Sequence, residues 1–514
     1  MTTVAGRSAA GPAGSIAARL ERLPHSRWHV KVRFLIGTVT FFEAFDQLMA
    51  ASALPVLTHD WRLTTGQATF AVTAGSIGML LGALAAGWLG DRIGRVRTVA
   101  LGVAVTALAS LAVALSNGIE PFALFRFVQG LGIGGVVPVA ATYINEIARA
   151  DRRGRFVLLY EMIFPAGLAA ATLVAVWVVP HLGWRAMFVI GALPALLAAL
   201  LPRQVAESPR WLLTRGRTAE AERILASIEA EVARAAATPP PSPSRSRLSE
   251  PATGSDTGTG TGTGSTPPDA DSRPVQDSDS DSASDSGPDP DPGSDLASGP
   301  DAHTAGAGAQ GRLRELFTGR YLRRTVVVSV LWFVAYYVNH GIATWLPSLY
   351  TKNFGLDLTT ALVYTLLSNV TGLVGTLLVA LVVDRVGRRP AMVAAFTGTA
   401  LALGTLALAG AVSGEQVALF ASCSTFFVYA INAGLYLYTP ELYPTRNRAK
   451  GAAFGGLWNR AGVILGPIVV GTILGAGGSL ILVFAQLAGI AAVGAVIGLF
   501  AIETKGKTLE ELNA

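Results

Sequence analysis

The sequence predicts an all-α membrane protein, with twelve transmembrane helices in two pseudo-symmetric six-helix bundles. Composition, the length of the apolar runs and an internal repeat point to it. Of 514 residues, 51% are hydrophobic and 14% charged, with a mean hydropathy of +0.47; soluble domains are about a quarter charged. About twelve apolar runs reach the ~20 residues that cross a ~30 Å bilayer. The stretch Gly87-Trp88-Leu89-Gly90-Asp91-Arg92-Ile93-Gly94-Arg95 returns, weakened, around Asp384-Arg385-Val386-Gly387-Arg388, 293 residues later from Asp91 to Asp384. Glu146 and Glu441 keep an offset of 295, and Glu207-Ser208-Pro209-Arg210 and Glu503-Thr504-Lys505-Gly506 one of 296. Such a repeat is how many secondary transporters are built.

Taken in order, 1–32 is expected to be a cytoplasmic tail and 33–203 the first bundle, with spans near 34–57, 69–90, 97–116, 122–148, 156–180 and 184–202 by the length rule. Residues 204–235 form cytoplasmic linker helices, including an amphipathic pattern from Ala219 to Arg234. From 236 to 311 the chain turns to Pro, Ser, Asp, Gly and Thr. That composition offers too little apolar surface to offset ordering entropy, so a disordered low-complexity linker is expected, a passive insert rather than an acidic tether. The second bundle occupies 312–503, with spans near 325–349, 358–383, 390–411, 415–439, 451–474 and 478–502; a cytoplasmic tail fills 504–514.

Alternate loops hold the basic residues. Arg92, Arg95 and Arg97, then Arg149 to Arg155, Arg385 to Arg389, and Arg446 to Lys450 lie on one side, against Arg62, Arg185 and Lys352 on the other. The positive-inside rule therefore puts both termini in the cytoplasm of a cell-membrane protein. The net charge of +6 is scattered through these loops, a topology signal and not a nucleic-acid surface. No cleavable signal peptide is expected, since 1–31 has no apolar core before Val32. Cys423, the single cysteine, excludes an intramolecular disulfide and is expected to pack in its span. No metal-ligand cluster, nucleophile elbow or phosphate loop is present, so neither an enzyme nor a cofactor is expected. The glycine-dense run 130–135 lies inside a span, where it suits close helix packing, not a dinucleotide.

Charges stand inside the apolar runs, and three of them fall in spans one and four. Asp46 lies near the middle of span one with Glu43 a turn before it on the same face, and Arg126 lies in span four. A carboxylate at the centre of a span costs about 2.5–3.5 kcal/mol, so it must face a cavity or a partner. Arg126 is the natural partner for Asp46, although it is equally suited to an anionic substrate.

These residues resemble the major facilitator superfamily over nearly the whole chain apart from the insert and the first thirty residues. The family's G-x-L-x-D-R-x-G-R-[RK] loop is met by Gly87, Leu89, Asp91, Arg92, Gly94 and Arg95. Arg126-Phe127-Val128-Gln129-Gly130, Glu146 with Arg153-Gly154-Arg155, Glu207-Ser208-Pro209-Arg210-Trp211-Leu212, Pro440-Glu441-Leu442-Tyr443-Pro444-Thr445 and Glu503-Thr504-Lys505-Gly506 are similar to the sugar-porter and metabolite–proton-symporter branch. The paired glutamines of the hexose carriers are absent from 335–341. Their span-five glutamine is replaced by Glu161, and the proline before the Glu-Ser-Pro-Arg motif by Ala206.

The resemblance thus implies a monomeric alternating-access carrier in the lipid bilayer, moving a small polar metabolite (organic acid, polyol or sugar-like) with the proton as coupling ion. An uncoupled facilitator or a non-transporting nutrient sensor is the alternative. Related symporters set an Asp in span one against an Arg in span four, so Asp46, Arg126 and Glu43 are the expected proton-coupling residues. Substrate contacts are expected from Gln129, Glu161, Tyr336, Tyr337, Asn339, Trp345, Asn369, Tyr429, Asn432, Trp458 and Asn459 near the midplane. A cytoplasmic gate of salt bridges across the halves is expected from Gly87, Asp91, Arg92, Gly94, Arg95, Glu146, Arg153, Glu207 and Arg210 with Asp384, Arg385, Arg388, Glu441, Arg448 and Glu503. Each exposed pair contributes about 0–1 kcal/mol; several linked ones bias an equilibrium of a few kcal/mol.

Overall fold

The computed structural model describes residues 27–147, 162–237 and 313–506, with Ile16, Arg19 and Leu23. The chain divides into two compact units, Met1–Thr238 with Ala309–Ala514, and Pro239–Gly308. The second unit, where the low-complexity linker falls, lies outside the described residues.

The helices of the first half are α1 (Arg27–Asp60), α2 (Thr65–Ile93), α3 (Arg95–Ala114), α4 (Ile119–Ile147), α5 (Ile163–Leu182), α6 (Trp184–Gly191) and α7 (Ala195–Gln204). Two linker helices follow, α8 (Pro209–Thr214) and α9 (Thr218–Ala237). A short 3₁₀ turn, Leu313–Phe317, opens the second half, α10 (Gly319–Ala343), α11 (Leu346–Phe354), α12 (Leu358–Val386), α13 (Arg388–Leu408), α14 (Gly414–Glu441), α15 (Thr445–Gly475) and α16 (Leu480–Gly498). Among the described residues ten helices are long and apolar enough to cross a membrane. The fourth expected span is α4, which contains Glu120 and Arg126. The sixth is broken at 192–194 into α6 and α7, and the seventh at Trp345 into α10 and α11. Wide apolar surface lies exposed, including Leu84, Trp88, Leu108, Leu173, Leu401 and Leu408, as a lipid-facing wall requires. Cys423 is exposed as well, contrary to the expected packing role.

The repeat is visible in the backbone. α2 and α12 are each 29 residues long; they end on Gly94 and Gly387 with φ of 108° and 107°, a region open to glycine and strained for other residues. At the opposite end four helix starts are capped by an oxygen side chain: Thr64 for α2, Asp357 for α12, Ser413 for α14 and Ser479 for α16. Each receives a backbone N–H that the first turn leaves without a partner.

Three buried apolar clusters show how the halves meet. One is shared: Phe45, Leu54, Leu57, Phe122 and Trp184 belong to it together with Ile342, Trp345, Tyr350, Leu362 and Phe484. The others lie towards the end marked by Asp91 and Asp384, and each belongs to one half. Val32, Val99, Val139, Tyr143, Trp211 and Leu225 form one, and Leu331, Trp332, Phe396, Tyr438 and Tyr443 the other. The described halves therefore share a core at one end and keep separate cores at the motif end.

Candidate functional site: a buried charge triangle and an arginine at mid-span

In the first half, α1 places Asp46 and α4 places Arg126 and Gln129, all buried. Arg126 Nη1 lies 3.6 Å from Asp46 Oδ2 and donates to Gln129 Oε1 at 2.7 Å; Gln129 Nε2 donates to Asp46 Oδ1 at 2.5 Å. Gln129 thus has both ends of its amide engaged within the charge pair, although its sequence position grouped it with substrate contacts. Glycine makes the room: a Cβ at Gly75 of α2 would stand 3.0 Å from Arg126 Nη2. Gly78, Gly130 and Gly134 likewise bring α2 and α4 into backbone contact, so the run 130–135 is a packing surface. Glu43, a turn before Asp46, is also buried.

The second half has a charge that the sequence reading passed over. Arg460 lies at the middle of α15 (Thr445–Gly475). Its hydrogen bond is Nη1 to Gly456 O of its own helix at 3.4 Å, its Nε is buried without a hydrogen-bond partner, and no described carboxylate pairs with it. Arg460 and Gly471 are about three helical turns apart and so share one stripe. A Cβ at Gly471 would meet Thr69 of α2 and the Trp345 ring, which means that this stripe faces the first half. Arg460 continues it about 16 Å closer to the motif end.

Beside α15, α10 presents an aromatic stripe. Trp332 stacks on Tyr336 at 5.6 Å and Tyr336 on His340 at 5.8 Å. His340 Nε2 reaches Gln47 Oε1 of α1 at 3.3 Å, a contact between the halves next to Asp46.

The other candidates fall into three groups. Tyr337 donates to Gln486 Oε1 at 3.0 Å, and Trp345 Nε1 to Pro467 O at 3.1 Å, both within the second half. Asn369 Nδ2 donates to Thr172 Oγ1 of the first half at 3.0 Å, while its Oδ1 accepts from Tyr429 OH at 2.7 Å. Asn339 and Asn459 are buried, Asn432 Oδ1 is buried without a hydrogen-bond partner, and Trp458 lies edge-on to Phe333 and Phe454. Glu161 lies outside the described residues.

The charged motifs assemble within each half. Asp91 pairs with Arg95 at 2.6 Å, and Glu207 Oε1 accepts from the backbone N–H of Arg95 (2.8 Å) and Val96 (3.1 Å). Arg92 lies over the Trp88 ring at 4.1 Å, Arg210 sits in α8, and a Cβ at Gly87 would meet open space. In the second half Arg388 bonds Asp384 at 2.9 Å and Glu441 at 3.1 Å. Glu503 accepts from the N–H of Arg388 and Arg389, each at 3.0 Å, and Arg385 O from Lys505 Nζ at 2.5 Å. Burial pushes the Glu503 carboxyl up, but the amides of Lys505, Arg388, Arg389 and Thr504 outweigh it and hold the group below its ordinary value. Arg153 and the side chains of Glu146 and Arg448 lie outside the described residues. Where a cross-half network was expected, every ion pair among the described side chains stays within one half. The physical reason is the separation of the two cores at this end.

Two repeated helical halves, an apolar outer wall and buried charges at mid-span define a multi-pass membrane carrier. The chain belongs to the major facilitator superfamily, whose model matches residues 36–437 and 333–513. It is 32% identical over 499 residues to the niacin transporter NiaP of Acinetobacter baylyi, covering 97% of this chain and 99% of that one. It is 27% identical over 487 residues to a gallate transporter of Pseudomonas putida, with 94% and 93% covered. Among solved structures, the xylose transporter XylE from E. coli in a partially occluded inward-open conformation superimposes with a TM-score of 0.65 at 17% identity, over 94% of this chain and 100% of that one. The family and these relatives are transporters, not enzymes.

Proposed function

We propose that the protein carries a small organic acid across the cell membrane by alternating access, together with a proton. The observation behind this is Arg460. Arg126 of the first half has the Asp46 carboxylate beside it at 3.6 Å, whereas Arg460 has no described carboxylate near it and leaves a positive charge at mid-span, on the stripe that faces the first half. An unpaired charge there costs about 2.5–3.5 kcal/mol, and a substrate carboxylate is the group that offsets it, by a charge-assisted and often bidentate hydrogen bond. The named substrates of relatives, niacin and gallate, are aromatic carboxylic acids, and the aromatic stripe on α10 suits a flat ring.

Asp46 is the proton site. Desolvation favours its neutral form and Arg126 its charged form, so opening and closing the cavity moves the balance. We place the arginine-rich loops in the cytoplasm by the positive-inside rule, a reading under which the state with separated motif-end cores is the inward-facing one. The motif clusters of the two halves would then approach one another when the cytoplasmic side shuts. One proton with one monocarboxylate moves no net charge, so accumulation should follow the pH gradient and ignore membrane potential.

The test is uptake of nicotinate, gallate and 4-hydroxybenzoate into proteoliposomes under an imposed pH gradient, for wild type and Asp46→Asn. Gradient-driven accumulation lost in the variant, with counterflow retained, supports the reading. Counterflow without gradient-driven accumulation in wild type leaves an uncoupled facilitator; binding without counterflow leaves a sensor.

A further inference from the structure

Asp46, Gln129 and Arg126 form a triangle whose orientation is fixed by chemistry. Arginine has no acceptor, so Gln129 Oε1 must face Arg126 and its NH₂ must face Asp46. Oδ1 of Asp46 is thereby committed to Gln129. Oδ2 is buried without a hydrogen-bond partner and stands 3.6 Å from Arg126 Nη1, beyond ordinary hydrogen-bond length.

We infer that Gln129 is a positioning residue of the proton site: a spacer that makes Oδ2 of Asp46 the oxygen that accepts the proton, and that holds Arg126 near the carboxylate without bonding to it. The inference rests on the proton-coupled reading above. A direct arginine–carboxylate fork would hold Asp46 charged and make protonation break hydrogen bonds. With Gln129 interposed, a proton arriving at Oδ2 leaves both amide hydrogen bonds in place, because the protonated carboxyl keeps an acceptor at Oδ1. The charge attraction is then discharged with no rearrangement of α1 against α4.

Few other titratable groups face Asp46. Glu43 is a turn away on α1, and His340 of α10 reaches the adjacent Gln47. α2 backs Arg126 with Gly75, and α5 has no titratable side chain before His181. Arg185 of α6 is tied to Ser116 O and Asn117 Oδ1, and Lys352 of α11 lies past the far end of α10. At the other end of α1, α9 meets Lys31 through Glu231, and α7 has Arg203 exposed.

Infrared difference titration of the reconstituted protein reads this without a substrate, since the carboxyl band absent from Asp46→Asn reports the Asp46 midpoint. Gln129→Leu removes the spacer and lets Arg126 close on the carboxylate, so the midpoint should move towards acid by about one pH unit or more. Gln129→Glu sets a second carboxylate against Asp46, so the midpoint should move towards alkali by a similar amount. Opposite shifts support the inference; midpoints that stay at the wild-type value, or that move together, overturn it. Gln129→Met, close in size and without hydrogen-bonding groups on its side chain beyond a weak sulfur acceptor, takes the place of the Leu variant if that one fails to fold. A titrating band with unmoved midpoints removes only the role of Gln129, whereas wild type with no titrating band removes the proton-coupled reading too.

Discussion

Asn369 Nδ2 and Thr172 Oγ1 lie 3.0 Å apart across the junction of the two halves, with Tyr429 OH fixing the other end of the amide at 2.7 Å. All three side chains are buried. An interhelical hydrogen bond in a membrane contributes about 0.6 kcal/mol on average, but a buried Tyr429 hydroxyl left without its acceptor costs about 1–3 kcal/mol more. The Tyr429 bond lies within the second half, so its loss weakens both states, and Asn369→Leu is expected to shift the balance between inward- and outward-facing states by about 3-fold through the bond to Thr172, and Tyr429→Phe by less. Spin-label distances across the motif end measure the populations; an unchanged distribution for Asn369→Leu would show that the bond does not select this state.

Glu503 offers a pH signature. Its carboxylate, held below the usual range by backbone amides, contributes stability that is present above the unfolded value of about 4.3 and lost as pH falls through the folded one. Glu503→Gln should lower the melting temperature of the purified protein at pH 7, at a cost comparable to a lost helix cap, about 0.5–2 kcal/mol. The gap between variant and wild type should narrow near pH 4. A gap that stays constant with pH would assign the effect to packing and not to charge.

Gly387 makes the same cap possible by a different route. Its φ is 107°, and a Cβ added to it would stand only 2.7 Å from Glu503 Oε2. Gly387→Ala therefore introduces backbone strain and displaces the carboxylate from the amides of α13. A loss of about 1–3 kcal/mol is expected, read as a fall in melting temperature. Because both variants remove one interaction, the double variant Gly387→Ala with Glu503→Gln should lose less than the sum.

The architecture was legible because Asp91 and Asp384, Gly94 and Gly387, and Glu207 and Glu503 recur at nearly one offset, and because length and hydropathy alone define spans. The helix breaks near Pro194 and at Trp345 were not. Trp345 sits in an apolar run; Pro347 opens the helix that follows, and the Trp345 Nε1 reaches Pro467 O, 122 positions away, at the break. Asp46 and Arg126 were found by the cost of charge in a membrane. The same rule reaches Arg460, whose neighbours Trp458 and Asn459 drew attention instead. Thr172 and Gln47 had no signal: ordinary polar residues acquire significance only when packing brings Asn369 or His340 from the other half. The cross-half gate failed to appear among the described ion pairs for a related reason, since spacing along the chain says nothing about which conformation brings two clusters together.

Arg460 gives the sharpest expectation. A carboxylate and its carboxamide have nearly the same shape, and a guanidinium distinguishes them by charge: five N–H donors meet two anionic oxygens in one case, a single neutral acceptor and a competing donor in the other. Wild type should bind nicotinate well above nicotinamide. Arg460→Gln should weaken nicotinate binding by about 1.5–3 kcal/mol, roughly 10- to 150-fold, the range for a hydrogen bond to a charged group, while leaving nicotinamide nearly unaffected. Arg460→Lys keeps the charge but loses the fork and should fall between the two. Calorimetric titration of each variant with both compounds decides it. Equal losses for acid and amide would mean that Arg460 supports the bundle and does not read the anion, and the organic-acid assignment would lose its principal support.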